Sequence, residues 1–407
     1  AALEAHINAV ESQQSLREQL SARGLVAFVA DASALPRASG IDDRPLPDAV
    51  PFYAPESLAV TMQPTHGPAL RGLGIPTGVT LIVGGGFHGK STLLRALELG
   101  VYNHIPGDGR ERVVCDPSAV KVRAEDGRAV TGVDISAFIN NLPQAKDTRR
   151  FCTQNASGST SQAANIMEAL ALDARTLLID EDTSATNFMI RDQRMRALVS
   201  EAKEPITPLV QRIRGLYTEA GVSVVMVMGG SGDFLGCADQ VLMLDNYQAE
   251  DVSVQAKQLA QGLDQPQLGQ ATFGTASVRQ PVAACLTPCY QGEREKIQAL
   301  EARLLRYGPG EIDVSNVEQL IDKGQLLAIG YLLRYCSRHP AGLEQGLVGA
   351  LRQALLDAER QGLDSLTPYI MGNLALPRLH ELCATLNRMR DLSLEPPAPE
   401  DSKPLER

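Results

Sequence analysis

The chain has 407 residues, 44% of them hydrophobic, which is long enough for a large core with additions. Aromatic residues make up only 4%, Trp is missing, and the net charge is −10. This composition excludes a protein that is basic all over or that binds single strands mainly by aromatic stacking. The 7 cysteines form no CxxC pair, which argues against a zinc site or a secreted disulfide framework and predicts free thiols. No apolar run approaches the roughly 20 residues that span a bilayer.

The first part of the chain predicts an N-terminal extension followed by an α/β core. Residues 1–60 suggest a helix over Glu4–Arg23, an apolar strand over Leu25–Ala30 and a loop from Pro36 to Pro55. Residues 61–255 alternate short apolar strands with helices. This alternation is typical of a mainly parallel sheet flanked by helices.

The pattern changes after residue 255, where we expect the strands to end. Residues 256–392 predict a helical C-terminal region, with helices over Val317–Cys336 and Leu343–Arg360. Residues 393–407 combine prolines with charges and predict a disordered tail.

A phosphate-binding loop is predicted by residues 81–95, which read LIVGGGFHGKSTLLR and fit GxxxxGK[ST] between a strand and a helix. A glycine-rich turn with a chance lysine is disfavoured because strand, spacing and helix all agree. Lys90 is expected at the β- and γ-phosphates of ATP, Ser91 at Mg²⁺ and Thr92 at the α-phosphate. The predicted nucleotide-binding residues are Gly84, Gly85, Gly86, Gly89, Lys90, Ser91 and Thr92.

An acid pair follows the buried strand that begins at Thr176, in the sequence TLLIDED. Asp180 and Glu181 fall at the carboxyl end of this strand, where doubly wound sheets bind ligands. We expect Asp180 to hold Mg²⁺ through water and Glu181 to act as general base for the attacking water. A solvated acidic turn is the weaker interpretation, given the phosphate loop upstream.

Residues 156–162 read ASGSTSQ and resemble the ABC signature LSGGQ-x-Q-R. With Ser157 on the signature Ser, the positions up to Leu170 align without a gap. The resemblance implies that Ser157, Gly158 and Ser159 cap the γ-phosphate bound by the other protomer. Ser184, Ala185 and Thr186 resemble the start of the D-loop.

Several positions depart from the ABC pattern. Ser159 and Thr160 replace the second Gly and the first Gln of the signature, and the switch His is missing. The strand Ser223–Met228 instead leads into Gly-Gly-Ser-Gly-Asp, where Gly230 and Ser231 form the predicted switch region and Asp233 is a further candidate contact. Neither Ser nor Asp replaces an imidazole donor, so slow turnover is expected.

The Q-loop glutamine and the adenine-stacking aromatic are not fixed by the sequence. Candidates for the former are Asn140, Asn141 and Gln144. Phe52 and Tyr53 are the nearest aromatic residues upstream of the phosphate loop, and a core position fits them equally well.

A wider resemblance rests on blocks including GGGFHGKSTLL, YNHIPGDGRE, DISAFINNLP, LLIDEDTSATNFMIRD and GGSGDF. Together they are similar to the family of predicted ATPases of the ABC class, over about Leu35 to Gln325. That family comprises soluble bacterial proteins and a kinetoplastid mitochondrial ATPase associated with RNA editing. The resemblance implies a dimer that binds nucleic acid. It places the protein in the mitochondrial matrix if it is close to the mitochondrial member and a presequence has been removed, and otherwise in the cytoplasm.

Basic residues give limited support for nucleic-acid binding. Lys146, Arg149 and Arg150 cluster before the signature and are our candidates for contacting phosphates. Further basic residues follow the phosphate loop: Arg110, Arg112, Lys121, Arg123 and Arg128. The residues alone favour a solvated charged face, and only the family resemblance favours a groove for RNA.

Each ABC motif occurs once, so a second copy must complete every ATP site. We therefore expect a symmetric head-to-tail homodimer that encloses two ATPs with Mg²⁺ and releases ADP, acting as a clamp. A nucleotide-binding scaffold with little hydrolysis, acting on a protein partner, is the alternative suggested by the missing switch His. A transporter motor ranks last, because the sequence shows neither a membrane segment nor a coupling Gln.

Overall fold

The computed structural model describes residues 2–140, 142, 147–191, 204–261, 273, 278–289 and 294–396. The chain divides into two compact units. The first contains Ala1–Gly127, Ile135–Thr148 and Ala156–Thr275, and the second contains Arg128–Asp134, Arg149–Asn155 and Ala276–Arg407. Two short segments within the predicted 61–255 core thus belong to the second unit.

The regular elements are numbered in chain order over the described residues. The strands are β1 (Leu25–Ala30), β2 (Arg37–Ser39), β3 (Asp42–Pro45), β4 (Ala59–Met62), β5 (Leu70–Pro76), β6 (Val79–Val83), β7 (Val113–Cys115), β8 (Val120–Val122), β9 (Val130–Val133), β10 (Phe151–Thr153), β11 (Thr176–Asp180), β12 (Ser223–Val227), β13 (Gln240–Asp245), β14 (Gln248–Asp251), β15 (Ile297–Leu300), β16 (Leu304–Tyr307) and β17 (Gly310–Asp313). The helices are α1 (Ala2–Ala22), α2 (Lys90–Leu99), α3 (Gly158–Leu170), α4 (Thr186–Met189), α5 (Leu209–Thr218), α6 (Ser253–Ala260), α7 (Lys323–Arg338), α8 (Gly346–Gln361) and α9 (Leu379–Asn387).

The larger sheet of the first unit has the strand order β14-β13-β6-β12-β11-β8. All neighbours run parallel except β14, which pairs with β13 in the antiparallel sense. Helices α2, α3 and α5 contact this sheet, and β11 and β12 are buried along their whole length. The predicted α/β class with a mainly parallel sheet is confirmed. The strand order also brings the carboxyl ends of β6, β12 and β11 side by side.

The N-terminal extension contributes to a second sheet of the same unit, with the order β4-β5-β1-β7. Strand β1 covers the predicted range and pairs antiparallel with both β5 and β7. All its residues are buried because both of its faces are covered. Val29 packs in the cluster that includes α2, whereas Phe28 packs with Leu16 and Leu20 of α1. The predicted loop from Pro36 to Pro55 contains the small hairpin β2–β3.

The second unit contains strands as well as the predicted helices. Strands β9 and β10 pair with each other, and β15, β16 and β17 form an antiparallel sheet. Our expectation that strands end at residue 255 was therefore wrong. The segment that forms β15 to β17 is rich in Glu, Ala, Leu and Arg, which favour helices. Gly308, with φ of 57°, turns the chain between β16 and β17. A cross-strand ion pair joins Arg306 Nε and Glu311 Oε1 at 2.9 Å.

The helical character of the C-terminal region is confirmed, with shifted boundaries. Helix α7 begins at Lys323 rather than Val317, because Asp322 forms a capping box with Gln325. The Asp322 Oδ1 atom accepts from Gly324 N at 2.6 Å. Among the described residues, no helix combines the length and apolar character needed to cross a membrane.

Candidate functional site

The loop between β6 and α2 has the geometry of an anion cradle. Helix α2 begins at Lys90, and Gly89 precedes it with φ of 98°. Gly84 has φ of 139°, and a Cβ there would lie 2.3 Å from the carbonyl oxygen of Leu244. Lys90 Nζ donates to Gly84 O at 2.8 Å and to Gly85 O at 2.6 Å. The loop thus places an ammonium group beside the positive end of a helix.

The turn between β13 and β14 supports this loop from one side. Asn246 N donates to His88 Nδ1 at 2.8 Å, and Tyr247 N donates to His88 O at 3.1 Å. A Cβ on Gly89 would lie 2.6 Å from Tyr247 Cδ1. This contact could not be predicted from the sequence, because the turn lies far along the chain and the sheet order brings it to the loop.

The acid pair lies at the end of β11, next to the glycine turn that follows β12. Asp180 is 7% exposed, and its Oδ1 accepts from the backbone N–H two residues on, at 3.2 Å. Glu181 Oε2 accepts from Gly229 N at 2.6 Å and from Gly230 N at 2.9 Å. A Cβ on Gly229 would lie 3.8 Å from both Glu181 Oε2 and Lys90 Nζ. The structure therefore brings the phosphate loop, the acid pair and the glycine turn together.

The signature residues form the start of α3. Ser157 is its N-cap, and the Ser157 Oγ accepts from Thr160 N at 3.4 Å. The same Oγ lies 3.2 Å from Ser159 Oγ and 3.0 Å from Thr160 Oγ1. Ser159 is buried, so the extra hydroxyl at the second glycine position is turned toward Ser157 within the chain.

Gln162 joins the signature helix to the D-loop segment, and the sequence analysis assigned it no role. Its Nε2 donates to Ser184 Oγ at 3.0 Å, and its Oε1 accepts from Ala185 N at 2.9 Å. Ser184 Oγ in turn donates to Asp180 O at 2.8 Å. Thr186 then begins the short helix α4. With Ser157 on the signature Ser, Gln162 falls on a glutamine of the ABC signature. This alignment could have identified Gln162 from the sequence.

The candidate switch side chains contact each other. Ser231 Oγ donates to the Asp233 carboxylate, and Asp233 N donates to Ser231 Oγ at 3.2 Å. The backbone N–H groups of Gly229 and Gly230, rather than these side chains, reach the acid pair. Gly229 was not among the predicted site residues.

The two candidates for stacking on adenine, Phe52 and Tyr53, differ in exposure. Phe52 is 2% exposed and belongs to the hydrophobic core, whereas Tyr53 is 56% exposed. Among the Q-loop candidates, Asn140 donates through Nδ2 to a backbone carbonyl four residues earlier, at 2.6 Å. Asn141 and Gln144 lie outside the described residues.

The basic residues fall into different environments. Lys146 lies outside the described residues, whereas Arg149 and Arg150 belong to the second unit. Arg150 Nη2 donates to Glu395 O at 2.6 Å. Arg110 is 2% exposed, and burial lowers its pKa to about 10. For Arg110 the expectation of a solvated charged face was wrong, because its Nε and Nη2 both donate to one backbone carbonyl.

Comparison with known proteins gives two family matches. The model described as the ABC ATPase P-loop domain matches residues 1–280, and the model of the MRB1590 C-terminal domain matches residues 296–395. The uncharacterized protein MJ1628 of Methanocaldococcus jannaschii is 30% identical over 249 residues. That match covers 59% of this chain and 54% of MJ1628, so the chain spans about half the length of this relative.

Solved structures similar to this chain include two components of ABC transporters. MJ1267, an ATP-binding cassette solved in its ADP conformation, is 13% identical, with a TM-score of 0.31 and coverage of 47% of this chain and 87% of that one. CbiO1 of Clostridium perfringens, part of the transporter complex cbiONQ, is 12% identical, with a TM-score of 0.33 and coverage of 58% and 92%. The P-loop domain model matches more than half of the sequence, from the first residue through the phosphate loop, the signature and the acid pair, and the chain belongs to the ABC ATPase P-loop domain family.

Proposed function

We propose that this protein binds and hydrolyses ATP with Mg²⁺ and acts as a nucleotide-driven homodimeric clamp on RNA or single-stranded nucleic acid. The observation that carries the ATPase part is the meeting of Lys90, Glu181 and the Gly229–Gly230 turn. They meet at the carboxyl ends of three neighbouring parallel strands, the edge where such sheets bind ligands.

The residues of this edge fit ATP and Mg²⁺. The positive φ angles of Gly84 and Gly89 let the loop turn its N–H groups inward, and Lys90 supplies a positive charge for the phosphates. The Ser91 hydroxyl would bind Mg²⁺ and the Asp180 carboxylate would hold it through water. Oxygen donors of this kind are the ones that Mg²⁺ prefers, and the ion would neutralise charge on the phosphates. Glu181 is assigned the role of general base, and Gly85, Gly86 and Thr92 complete the phosphate contacts.

A second copy of the chain is assigned the signature half of each site. The phosphate loop and the signature each occur once in the sequence. Ser157 is exposed at the N-terminus of α3, where the helix end favours an anion. A symmetric head-to-tail dimer would present Ser157, Gly158 and Ser159 of each copy to the ATP of the other.

The nucleic-acid part of the proposal rests on the family resemblance and on the second domain match, which extends the likeness into the C-terminal region. Arg149 and Arg150 are the candidate phosphate contacts among the described residues, with Lys146 as a further candidate from the sequence. A mitochondrial matrix location would accompany a role in RNA editing, and a cytoplasmic one a role like that of the bacterial members.

A nucleotide-binding scaffold with little hydrolysis, acting on a protein partner, is the second candidate. The turn after β12 offers no imidazole, and its Ser231 is paired with Asp233. A donor to the γ-phosphate from this turn would therefore have to come from the backbone.

The test combines ATP turnover with binding of labelled single-stranded RNA in rising salt. We expect RNA to change turnover, and its affinity to fall linearly with salt on a logarithmic scale. Glu181→Gln should abolish turnover, whereas the matched control Asp182→Asn, an exposed neighbouring acid, should retain it. Turnover without RNA binding would favour a clamp that acts on a protein partner, and wild-type turnover no higher than that of Glu181→Gln would support the scaffold.

A further inference from the structure

Among the described residues, backbone groups donate to one of the two oxygens of the Glu181 carboxylate. Gly229 N and Gly230 N both donate to Oε2, at 2.6 and 2.9 Å. Hydrogen bonds from N–H groups to a carboxylate are short and roughly twice as strong as neutral ones. Two such bonds to one oxygen fix the orientation of the carboxylate, and within the described part of the chain Oε1 accepts no backbone bond.

The space around Oε1 depends on residue 230 being a glycine, which has no Cβ. A Cβ on Gly230 would lie 3.1 Å from Glu181 Oε1, closer than ordinary van der Waals contact. Gly230 lies outside the left-handed region, so its backbone does not require glycine. Glycine is therefore needed at position 230 because a Cβ would crowd Oε1, the oxygen that would face the attacking water.

The glycine turn lines a cavity of about 380 Å³ together with Met228, Leu235 and Met243. The bonds to Glu181 Oε2 join Gly229 and Gly230 to the residue that follows β11. The turn and the carboxylate thus constrain each other.

We propose that the Gly229 and Gly230 amides are the positioning groups for Glu181: they bind Oε2 and thereby present Oε1 to the attacking water. This inference rests on the proposed ATPase function. In the reaction Oε1 takes one proton from water, the water oxygen bonds to the γ-phosphorus, and the bond to the β-phosphate oxygen breaks to leave ADP.

Gly230→Ala tests the space at Oε1, and Gly232→Ala is the matched control in the same turn. A Cβ on Gly232 would meet only Leu235 Cδ1, at 3.6 Å, which is an ordinary contact. We expect Gly230→Ala to lower kcat at least tenfold while KM and the affinity for a fluorescent ATP analogue stay within twofold. Gly232→Ala should match the wild type. Equal kcat values for the two variants, or a loss of Gly230→Ala activity through KM alone, would overturn the proposal.

A second measurement tests the hydrogen bonds without activity. In protein selectively labelled with ¹⁵N-glycine, Glu181→Ala should speed hydrogen exchange of the Gly229 and Gly230 amides at least tenfold, and Asp182→Ala should not. Unchanged exchange in Glu181→Ala would refute the amide contacts. If the exchange responds but the wild type hydrolyses no ATP, the contacts stand and the proposed ATPase function fails instead.

Discussion

Replacing Gln162 tests whether the signature helix holds the D-loop segment. Gln162 is fully buried, and its side chain contacts Ser184 Oγ and Ala185 N at 3.0 and 2.9 Å. Gln162→Met keeps a similar volume but removes both contacts. Ser184 Oγ keeps its bond to Asp180 O, whereas the Ala185 N–H loses its acceptor. An unsatisfied buried donor costs about 1–3 kcal/mol, and Ala185 is half-buried, so we expect local opening at Ala185 to become easier by about 1.4 kcal/mol, roughly tenfold.

Hydrogen exchange followed by mass spectrometry measures this opening directly. Peptides that include Ala185 should exchange roughly tenfold faster in Gln162→Met. Gln162→Glu keeps an acceptor for Ala185 N and should protect this amide better than Met does. Gln211→Met, on helix α5, is the control and should leave exchange at Ala185 unchanged. Equal protection of the Ala185 amide in the wild type and in Gln162→Met would show that Gln162 does not hold the D-loop segment.

Three further predictions concern the loop, a cap and the thiols. Gly89→Ala should lower nucleotide affinity at least tenfold in a fluorescence titration, because a Cβ would meet the Tyr247 ring at 2.6 Å in a left-handed backbone; normal affinity would contradict this. Asp322→Ala should destabilise the second unit by about 1 kcal/mol in urea unfolding, because the capping box is lost. An unchanged unfolding midpoint would contradict this prediction. In native protein the exposed Cys152 should react with a thiol reagent, whereas Cys336, whose pKa burial raises to about 12, should stay unlabelled from pH 7 to 9 until unfolding. Rapid labelling of Cys336 across this pH range would be inconsistent with its burial.

The phosphate loop and the parallel sheet could be predicted because their signals are local. The loop is a contiguous run with a fixed spacing, and the apolar residues of β6 and β11 each form an unbroken buried strand. Strand β1 was also predicted with its observed bounds. Its antiparallel partners could not be predicted, since pairing with β5 and β7 depends on contacts between distant segments.

The missed features depend on backbone groups or on weak local preferences. Strands β15 to β17 are each four residues long and contain helix-forming residues, so propensity alone favours the wrong element. The contacts of Glu181 with Gly229 and Gly230 involve main-chain N–H groups, which every residue except proline has. The predicted switch region was Gly230 and Ser231, and the Ser231 side chain pairs with Asp233.

If each ATP site is shared between two copies of the chain, mixing two inactive variants should restore activity. Lys90→Ala removes the phosphate half of the site, and Ser157→Arg blocks the signature half. Each variant alone should be inactive. After unfolding and refolding together in equal amounts, half of the dimers would be mixed, each with one intact site, so about a quarter of wild-type turnover should return. A mixture that forms dimers but stays inactive, or full activity of Ser157→Arg alone, would contradict the shared site.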